Sequence, residues 1–264
     1  MSATATYADN AGVRLRYETL GAGTPVLLIQ GLGYARGGWG PALGSLAERF
    51  TVTAFDNRGI GESDKPEGPY TARQLADDAA CVLDAIGADR AHVLGASLGG
   101  MAAQELALAR PERVDRLVLA CTTPGGTAAH PMPERTVALF AEAAGLAPDV
   151  ALRKFVANAL APDAPADLVD RVYRWRLEHP PDPQGWQAQA AAGTTYDGGG
   201  RTGEIAAPTL VVHGTEDNVV DVRNAELLAQ LIPGARVELF EGCGHLFFWE
   251  QPERFADVVA GFLA

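Results

Sequence analysis

The chain has little cysteine, a deficit of positive charge and no long apolar run, and each shortage narrows what it can be. Three cysteines stand in 264 residues, at Cys81, Cys121 and Cys243, odd in number and widely spaced. They offer neither a disulfide framework nor a paired metal site, and they point to a reducing compartment with free thiols. Lys and Arg number 21 against 33 Asp and Glu, a formal net charge of −12. Neither nucleic acid nor an anionic membrane is expected as a partner, and the acidity serves solubility. No stretch approaches the roughly 18 apolar residues that span a bilayer. Met1-Ser2-Ala3-Thr4-Ala5-Thr6 lacks the basic-then-apolar order of a signal peptide, so a cytoplasmic location is expected. Gly31-Leu32-Gly33 has no third glycine at dinucleotide-binding spacing, and the chain holds no phosphate-loop lysine. No cofactor and no metal are expected, and no internal repeat is evident.

What remains is an ordinary globular composition, 47% hydrophobic and 20% charged, ample for one large α/β domain or two small ones. Two strands, 4–7 and 13–19, are joined by a turn at Asp9-Asn10-Ala11-Gly12. Continuous apolar runs at 25–29, 51–55, 91–94, 114–121, 208–213 and 236–240 read as strands buried on both faces of a parallel sheet. Helical patterns alternate with them, beginning near Trp39 or Pro41, then 71–86 with Thr71 as N-cap and Gly87 as stop, then 221–231 and 252–263. The expected fold is an eight-stranded, mostly parallel sheet with helices on both faces. Residues 127–204 break the rhythm with four helical patterns, 134–144, 149–160, 166–178 and 184–192. Glycine-rich stretches at 124–126 and 197–200 flank this insert. The expected division is a core of 1–126 and 205–264 with an inserted helical cap, 127–204, able to shift on its glycines.

The rest is organised around one stretch, His92-Val93-Leu94-Gly95-Ala96-Ser97-Leu98-Gly99-Gly100-Met101. A buried strand runs into Gly-x-Ser-x-Gly and then into a helix, the context a nucleophile elbow requires. Glycines two before and two after the serine let strand and helix approach on a tight turn. A serine nucleophile needs a base, the base an orienting acid, and the nascent oxyanion two N–H donors. Candidates for each follow predicted strands, where active sites of open α/β sheets lie. His245, between glycine-rich Gly242-Cys243-Gly244 and the last helix, is the base candidate. His92 enters the elbow strand at the wrong end, His130 and His179 belong to the insert, and His213 buttresses a turn. Asp217 is the acid candidate, in the order serine, acid, histidine. Glu216 is its local rival, and Asp221 reads as a cap of the next helix. The strand ending Ala120-Cys121-Thr122-Thr123 offers no carboxylate, which strengthens Asp217. The oxyanion donors expected are the N–H groups of Leu98 and Leu32.

With these residues in view, the chain resembles the α/β-hydrolase fold superfamily along essentially its full length. Within it, the chain is similar to capped carboxylesterases, 3-oxoadipate enol-lactonases and cofactor-free haloperoxidase-like enzymes. The resemblance rests on Gln30-Gly31-Leu32-Gly33, Asp56-Asn57-Arg58-Gly59-Ile60-Gly61-Glu62-Ser63-Asp64, Gly95-Ala96-Ser97-Leu98-Gly99, His213-Gly214-Thr215-Glu216-Asp217 and Gly244-His245. Two positions depart from it. Gln30 stands where the family usually has histidine, and Asn57 places an amide in the motif after the fourth strand.

The resemblance implies hydrolysis of a small-to-medium apolar ester or lactone through an acyl-enzyme. Serine at the elbow argues against the dehalogenase and epoxide hydrolase relatives, which use aspartate there. Enol-lactone hydrolysis, perhydrolysis, carbon–carbon bond hydrolysis and a non-catalytic ligand receptor stay open on the same fold. A substrate pocket is expected around Gln30, Gly31, Met101, Trp175, Trp186 and Leu246. Phe140, Phe155 and Tyr173 of the insert, with Trp39, Phe247, Phe248 and Trp249 of the core, are further aromatic candidates, of which only some should face substrate. The sequence leaves the oligomeric state open.

Overall fold

The computed structural model describes residues 5–264, so Thr4, the first residue of the predicted opening strand, lies outside the described residues. One sheet of eight strands runs through the protein in the order β1-β2-β4-β3-β5-β6-β7-β8. In chain order the strands are β1 (Thr6–Asn10), β2 (Val13–Leu20), β3 (Pro25–Ile29), β4 (Thr51–Phe55), β5 (Ala91–Ala96), β6 (Val114–Ala120), β7 (Thr209–Gly214) and β8 (Arg236–Phe240). β2 is antiparallel to β1 and β4, and all other pairs are parallel.

The first hairpin differs from the sequence reading. Asp9 and Asn10 continue β1, pairing with Arg14 and Val13, and only Ala11-Gly12 turns. Ala11 and Gly12 both have positive φ, 52° and 87°, the geometry of a tight two-residue hairpin turn, which leaves the flanking polar residues in the ladder.

The parallel strands divide their side chains between two cores. Val26 and Leu28 enter one apolar cluster while Leu27 and Ile29 enter the other. That is why these strands read as unbroken apolar runs instead of alternating ones. Helices α1 (Pro41–Ala47), α2 (Ala72–Ala85) and α3 (Leu98–Ala109) follow β3, β4 and β5. α2 starts with a full capping box, in which Thr71 Oγ1 accepts from Gln74 N and Gln74 Oε1 from Thr71 N.

Four helices are inserted between β6 and β7: α4 (Glu134–Ala143), α5 (Pro148–Asn158), α6 (Ala166–Glu178) and α7 (Pro183–Thr195). The chain leaves and returns through one stitched stem. Gly125 bridges Asp197, Gly126 N donates to Tyr196 O at 3.1 Å, and Gly198 N donates to Pro124 O at 2.9 Å. Gly125, Gly126 and Gly198 thus lie in a paired base and not in two free loops. Val156, Leu160, Leu168 and Val172 of this segment join the same apolar cluster as Leu28, Leu94 and Phe248. α8 (Arg223–Leu231), α9 (Phe247–Glu250) and α10 (Pro252–Leu263) complete the chain. Asp221, two residues ahead of α8, accepts from Arg223 N, while the N-cap position is Val222.

Candidate active site

Ser97 sits between β5 and α3 with φ 55° and ψ −120°, a backbone conformation that a non-glycine residue holds only when its surroundings enforce it. The surroundings here are backbone. A side chain on Gly95 would collide with the Gly99 carbonyl, and one on Gly99 with the carbonyls of Ile29 and Gln30. The turn is also pinned from outside. Ser97 N donates to Ala120 O at 2.9 Å, and Thr122 Oγ1 donates to Ser97 O at 2.7 Å. Gly31 packs against the serine so closely that a Cβ there would lie 3.0 Å from Ser97 Cβ.

Asp217 and His245 come from the loops after β7 and β8. His245 Nδ1 donates to Asp217 Oδ2 at 2.7 Å, which leaves Nε2 as the nitrogen open to reaction. Asp217 Oδ1 accepts from the N–H groups of Val219 and Val220 at 2.7 and 2.9 Å. A second histidine, His213, places Nε2 3.0 Å from the same Oδ2 and 3.0 Å from Val220 O. The sequence reading of His213 as a turn buttress covers only the Val220 contact; the loop folds back to bring the acid onto it as well. Burial on its own would push the Asp217 carboxyl upward. The charge of His245 and the hydrogen bonds from His213 and His245 outweigh it and hold Asp217 well below the usual carboxylate range. For His245 burial works downward, but the Asp217 charge, with the Cys121 thiol against the ring, lifts the imidazole well above its ordinary value.

Cys121 was not singled out by sequence as part of this site. It follows β6 with φ 41°, is fully buried, and its thiol lies against His245. Its positive φ is a tertiary feature with no sequence signal, since cysteine carries no preference for that region. No hydrogen bond runs from Ser97 Oγ to His245, a contact that is often long before substrate binds.

The loop after β3 has an informative set of donors. Gly31 N donates to Gln30 Oε1 at 2.7 Å, Gly33 N to Gln189 Oε1 at 3.1 Å, and Tyr34 N to Gly31 O at 3.3 Å. Leu32 N–H, between them, donates to no described group, and neither does Leu98 N–H at the start of α3. Asn57 Nδ2 donates to Gln30 O at 2.9 Å, so both residues that depart from the family pattern brace this loop. Gln30 Nε2 and Asn57 Oδ1 are buried without a partner.

The residues expected to form a pocket are placed unevenly. Gly31 and Leu246 are buried beside Ser97 and His245 respectively, and Met101 is half-buried one helical turn beyond Ser97. Gln30 is buried with its side chain turned back on its own loop. Trp186 covers Gly33, and Trp175 stacks on Tyr34 with ring centroids 5.6 Å apart. Both tryptophans therefore grip the loop after β3. Trp39, Phe247 and Phe248 pack with Phe255 in the core, and Trp249 donates to Gly38 O. Phe140 is exposed and pairs with Phe155, and Tyr173 packs at the edge of the core cluster under Arg153. A cavity of about 420 Å³ lies away from Ser97, lined by Arg36, Asp56, Glu62, Glu178 and His179 among others. Among the described residues, no group of three or more His, Cys, Asp or Glu is placed to hold a metal. None of the described helices is long and apolar enough to cross a membrane.

The sheet order, the elbow and the loops that carry Asp217 and His245 can be set beside known proteins. Residues 24–252 match the family model of the α/β hydrolase fold. The chain belongs to this family. Among curated α/β-hydrolase relatives, one named for carbamate hydrolysis (RutD of Azorhizobium caulinodans) is 34% identical over 97% of this chain and 97% of its own length. A 2-hydroxymuconate semialdehyde hydrolase of Pseudomonas putida is 34% identical over 96% of this chain and 92% of its own. Among solved structures, the enol-lactonase of Burkholderia xenovorans LB400 superposes with a TM-score of 0.84 at 27% identity, covering 98% of this chain and 99% of the other. The protein is accordingly a hydrolase of this fold, and its neighbours cleave more than one kind of bond.

Proposed function

We propose that the protein is a serine hydrolase that cleaves a small-to-medium apolar carboxylic ester or lactone through an acyl-enzyme. The observation that carries this reading is the joining of His245 Nδ1 to Asp217 at 2.7 Å, with Ser97 held at φ 55° after β5 of the same sheet. Ser97 Oγ attacks the acyl carbon while His245 Nε2 takes its proton, and Asp217 holds the imidazole and balances its new charge. The oxyanion takes the two unoccupied N–H groups, Leu32 and Leu98. His245 then returns the proton to the departing alkoxide, and water, activated by the same imidazole, releases the acid. With a lactone the alcohol stays tethered to the acyl group.

Residues 127–204 act in this reading as a cap, with Met101, Leu246 and Trp186 nearest the bound acyl chain. Gln30 and Trp175 serve as supports of the loop after β3. The three cysteines are free, which suits work in the reducing cytoplasm.

The test is turnover of p-nitrophenyl esters from acetate to octanoate, a matched lactone series, an aryl carbamate and a 2-hydroxy-6-oxodienoate, with Ser97→Ala beside the native protein. Ester or lactone turnover that vanishes in Ser97→Ala supports the proposal. Equal turnover in both proteins overturns the serine mechanism. Turnover of the carbamate or the dienoate alone keeps the fold's machinery and overturns the substrate class.

A further inference from the structure

Two side chains of the inserted segment reach the backbone next to Leu32. Gln189 Oε1 accepts from Gly33 N at 3.1 Å, and Arg176 Nη1 donates to Gly33 O. The N–H and C=O of a single residue are thus held from α7 and α6 respectively. The Gln189 amide has no freedom to turn over, because its Nε2 donates to Arg58 O at 2.9 Å. The adjoining residue is gripped as well: the Tyr34 ring stacks on Trp175, and Arg176 lies 4.1 Å from its centroid. Gly33 itself has φ 71°, and a Cβ there would stand 2.6 Å from Trp186.

Three features separate this arrangement from ordinary packing. Gln189 is fully buried and Arg176 is 8% exposed, and burying such groups is costly unless their hydrogen bonds are made. Arg176 has no carboxylate within ion-pair distance among the described residues. An apolar side chain would cover the loop without that cost. Finally, the two peptide groups being held directly follow Leu32 N–H, the one backbone donor of residues 31–34 left unoccupied. A peptide that is free to rotate aims no donor, and a misplacement of about 1 Å costs about 100-fold in rate.

We propose that Gln189 and Arg176 are positioning residues for the oxyanion hole: by clasping Gly33 from the cap they aim Leu32 N–H at the reacting carbonyl. The proposal rests on Ser97 being the nucleophile. It gives the cap a catalytic duty besides covering substrate, and it ties the docking of α6 and α7 to the rate of acylation.

The test compares Gln189→Leu, Arg176→Met and Arg176→Lys with the native protein. Steady-state hydrolysis of an ester the native protein turns over is one readout, and the rate at which a fluorophosphonate phosphonylates Ser97, followed by intact mass, is the other. Phosphonylation expels fluoride and places a P–O⁻-like oxygen in the same hole, so it reads donor placement without needing the natural substrate. Gln189→Leu and Arg176→Met are expected to lose about 10- to 100-fold in kcat and in phosphonylation rate together, with KM within about twofold. Arg176→Lys, which keeps one donor for Gly33 O, is expected to recover most of that loss. Gln189→Asn withdraws the amide by one methylene while keeping its polarity, and it replaces Gln189→Leu if the latter does not fold. Folded variants that phosphonylate at the native rate, or that change only KM, overturn the clasp. A native protein that resists phosphonylation overturns the reading of Ser97, and the clasp's catalytic role falls with it.

Discussion

His213 Nε2 lies 3.0 Å from Asp217 Oδ2, the oxygen that also accepts from His245 Nδ1 at 2.7 Å. Two imidazoles therefore share one carboxylate oxygen, and the basicity that Asp217 lends to His245 is tempered by its bond to His213. In the proposed mechanism only neutral His245 can take the Ser97 proton, so activity is expected to fall as pH drops through the His245 pKa. That pKa is lifted well above its ordinary value by Asp217 after burial has worked against it. The acid limb of kcat/KM is expected above the usual histidine midpoint of about 6.5. Replacing His213 with leucine removes a donor, strengthens the negative charge felt by His245 and moves the limb further up. His213→Gln, which keeps a donor, leaves it nearer the native position. A limb at the same pH in all three proteins would show that His213 acts on the turn alone.

Asp78 carries a buried ion pair with Arg58. Arg58 Nε and Nη2 reach its two oxygens at 2.6 Å each, and Asn10 Nδ2 adds a third bond at 2.8 Å. Asp78 is fully buried and Arg58 nearly so, so removing the acid strands a guanidinium. Asp78→Ala is expected to cost about 3–5 kcal/mol and roughly 6–20 °C in Tm, measured by calorimetry. A fall of under roughly 1 kcal/mol would mean that Arg58 finds water on the loss of its partner.

The glycines of the elbow and of α1 make a matched pair of tests. A methyl on Gly99 meets the Ile29 and Gln30 carbonyls, whereas one on Gly44 meets nothing within 4 Å. Gly99→Ala is expected to cost about 3 kcal/mol or more through overpacking against rigid backbone. Gly44→Ala, in an exposed helix interior, is expected to gain about 0.5–1 kcal/mol. Urea unfolding of both variants decides the matter; equal effects would place the strain elsewhere.

Cysteine reactivity reports on how tightly the site is shut. Burial pushes all three thiols upward, Cys243 to about 12. Cys121 and Cys243 are buried, and half-buried Cys81 donates to Asp9 O at 3.1 Å. A disulfide reagent at pH 8 is expected to titrate at most one thiol promptly in the native protein and all three in denaturant. Prompt labelling of Cys121, located by peptide mass, would mean that the wall behind His245 opens on that timescale.

How much of this was written in the chain depends on the range of the forces involved. The parallel strands, the α2 N-cap at Thr71, and α10 from Pro252 to Leu263 are local matters of apolar runs, caps and a proline start, and they were legible residue by residue. So was the elbow, because the clash of any side chain at Gly95 or Gly99 imposes a short pattern. The resemblance to the family likewise followed from motifs in sequence, whereas the strand order did not. The sequence also nominated Ser97, Asp217 and His245 by their places after strands, while the approach of His245 to Asp217 exists only once β7 and β8 lie side by side, with β6 between them and β5.

Other features had no local signature. The hairpin after β1 moved because Asp9 and Asn10, turn formers by habit, gain ladder hydrogen bonds that outweigh their preference. Trp175, Trp186, Gln189 and Arg176 look alike in sequence as parts of helical patterns within the insert. Only the docking of α6 and α7 shows them closing on Gly33, some 140 to 160 residues away along the chain. Cys121 against His245 and His213 on Asp217 are likewise decided by packing, since loop ends from distant strands must meet before either contact exists. Local chemistry thus set the elements and the elbow, and the closing of the sheet and the seating of the four inserted helices decided what surrounds the serine.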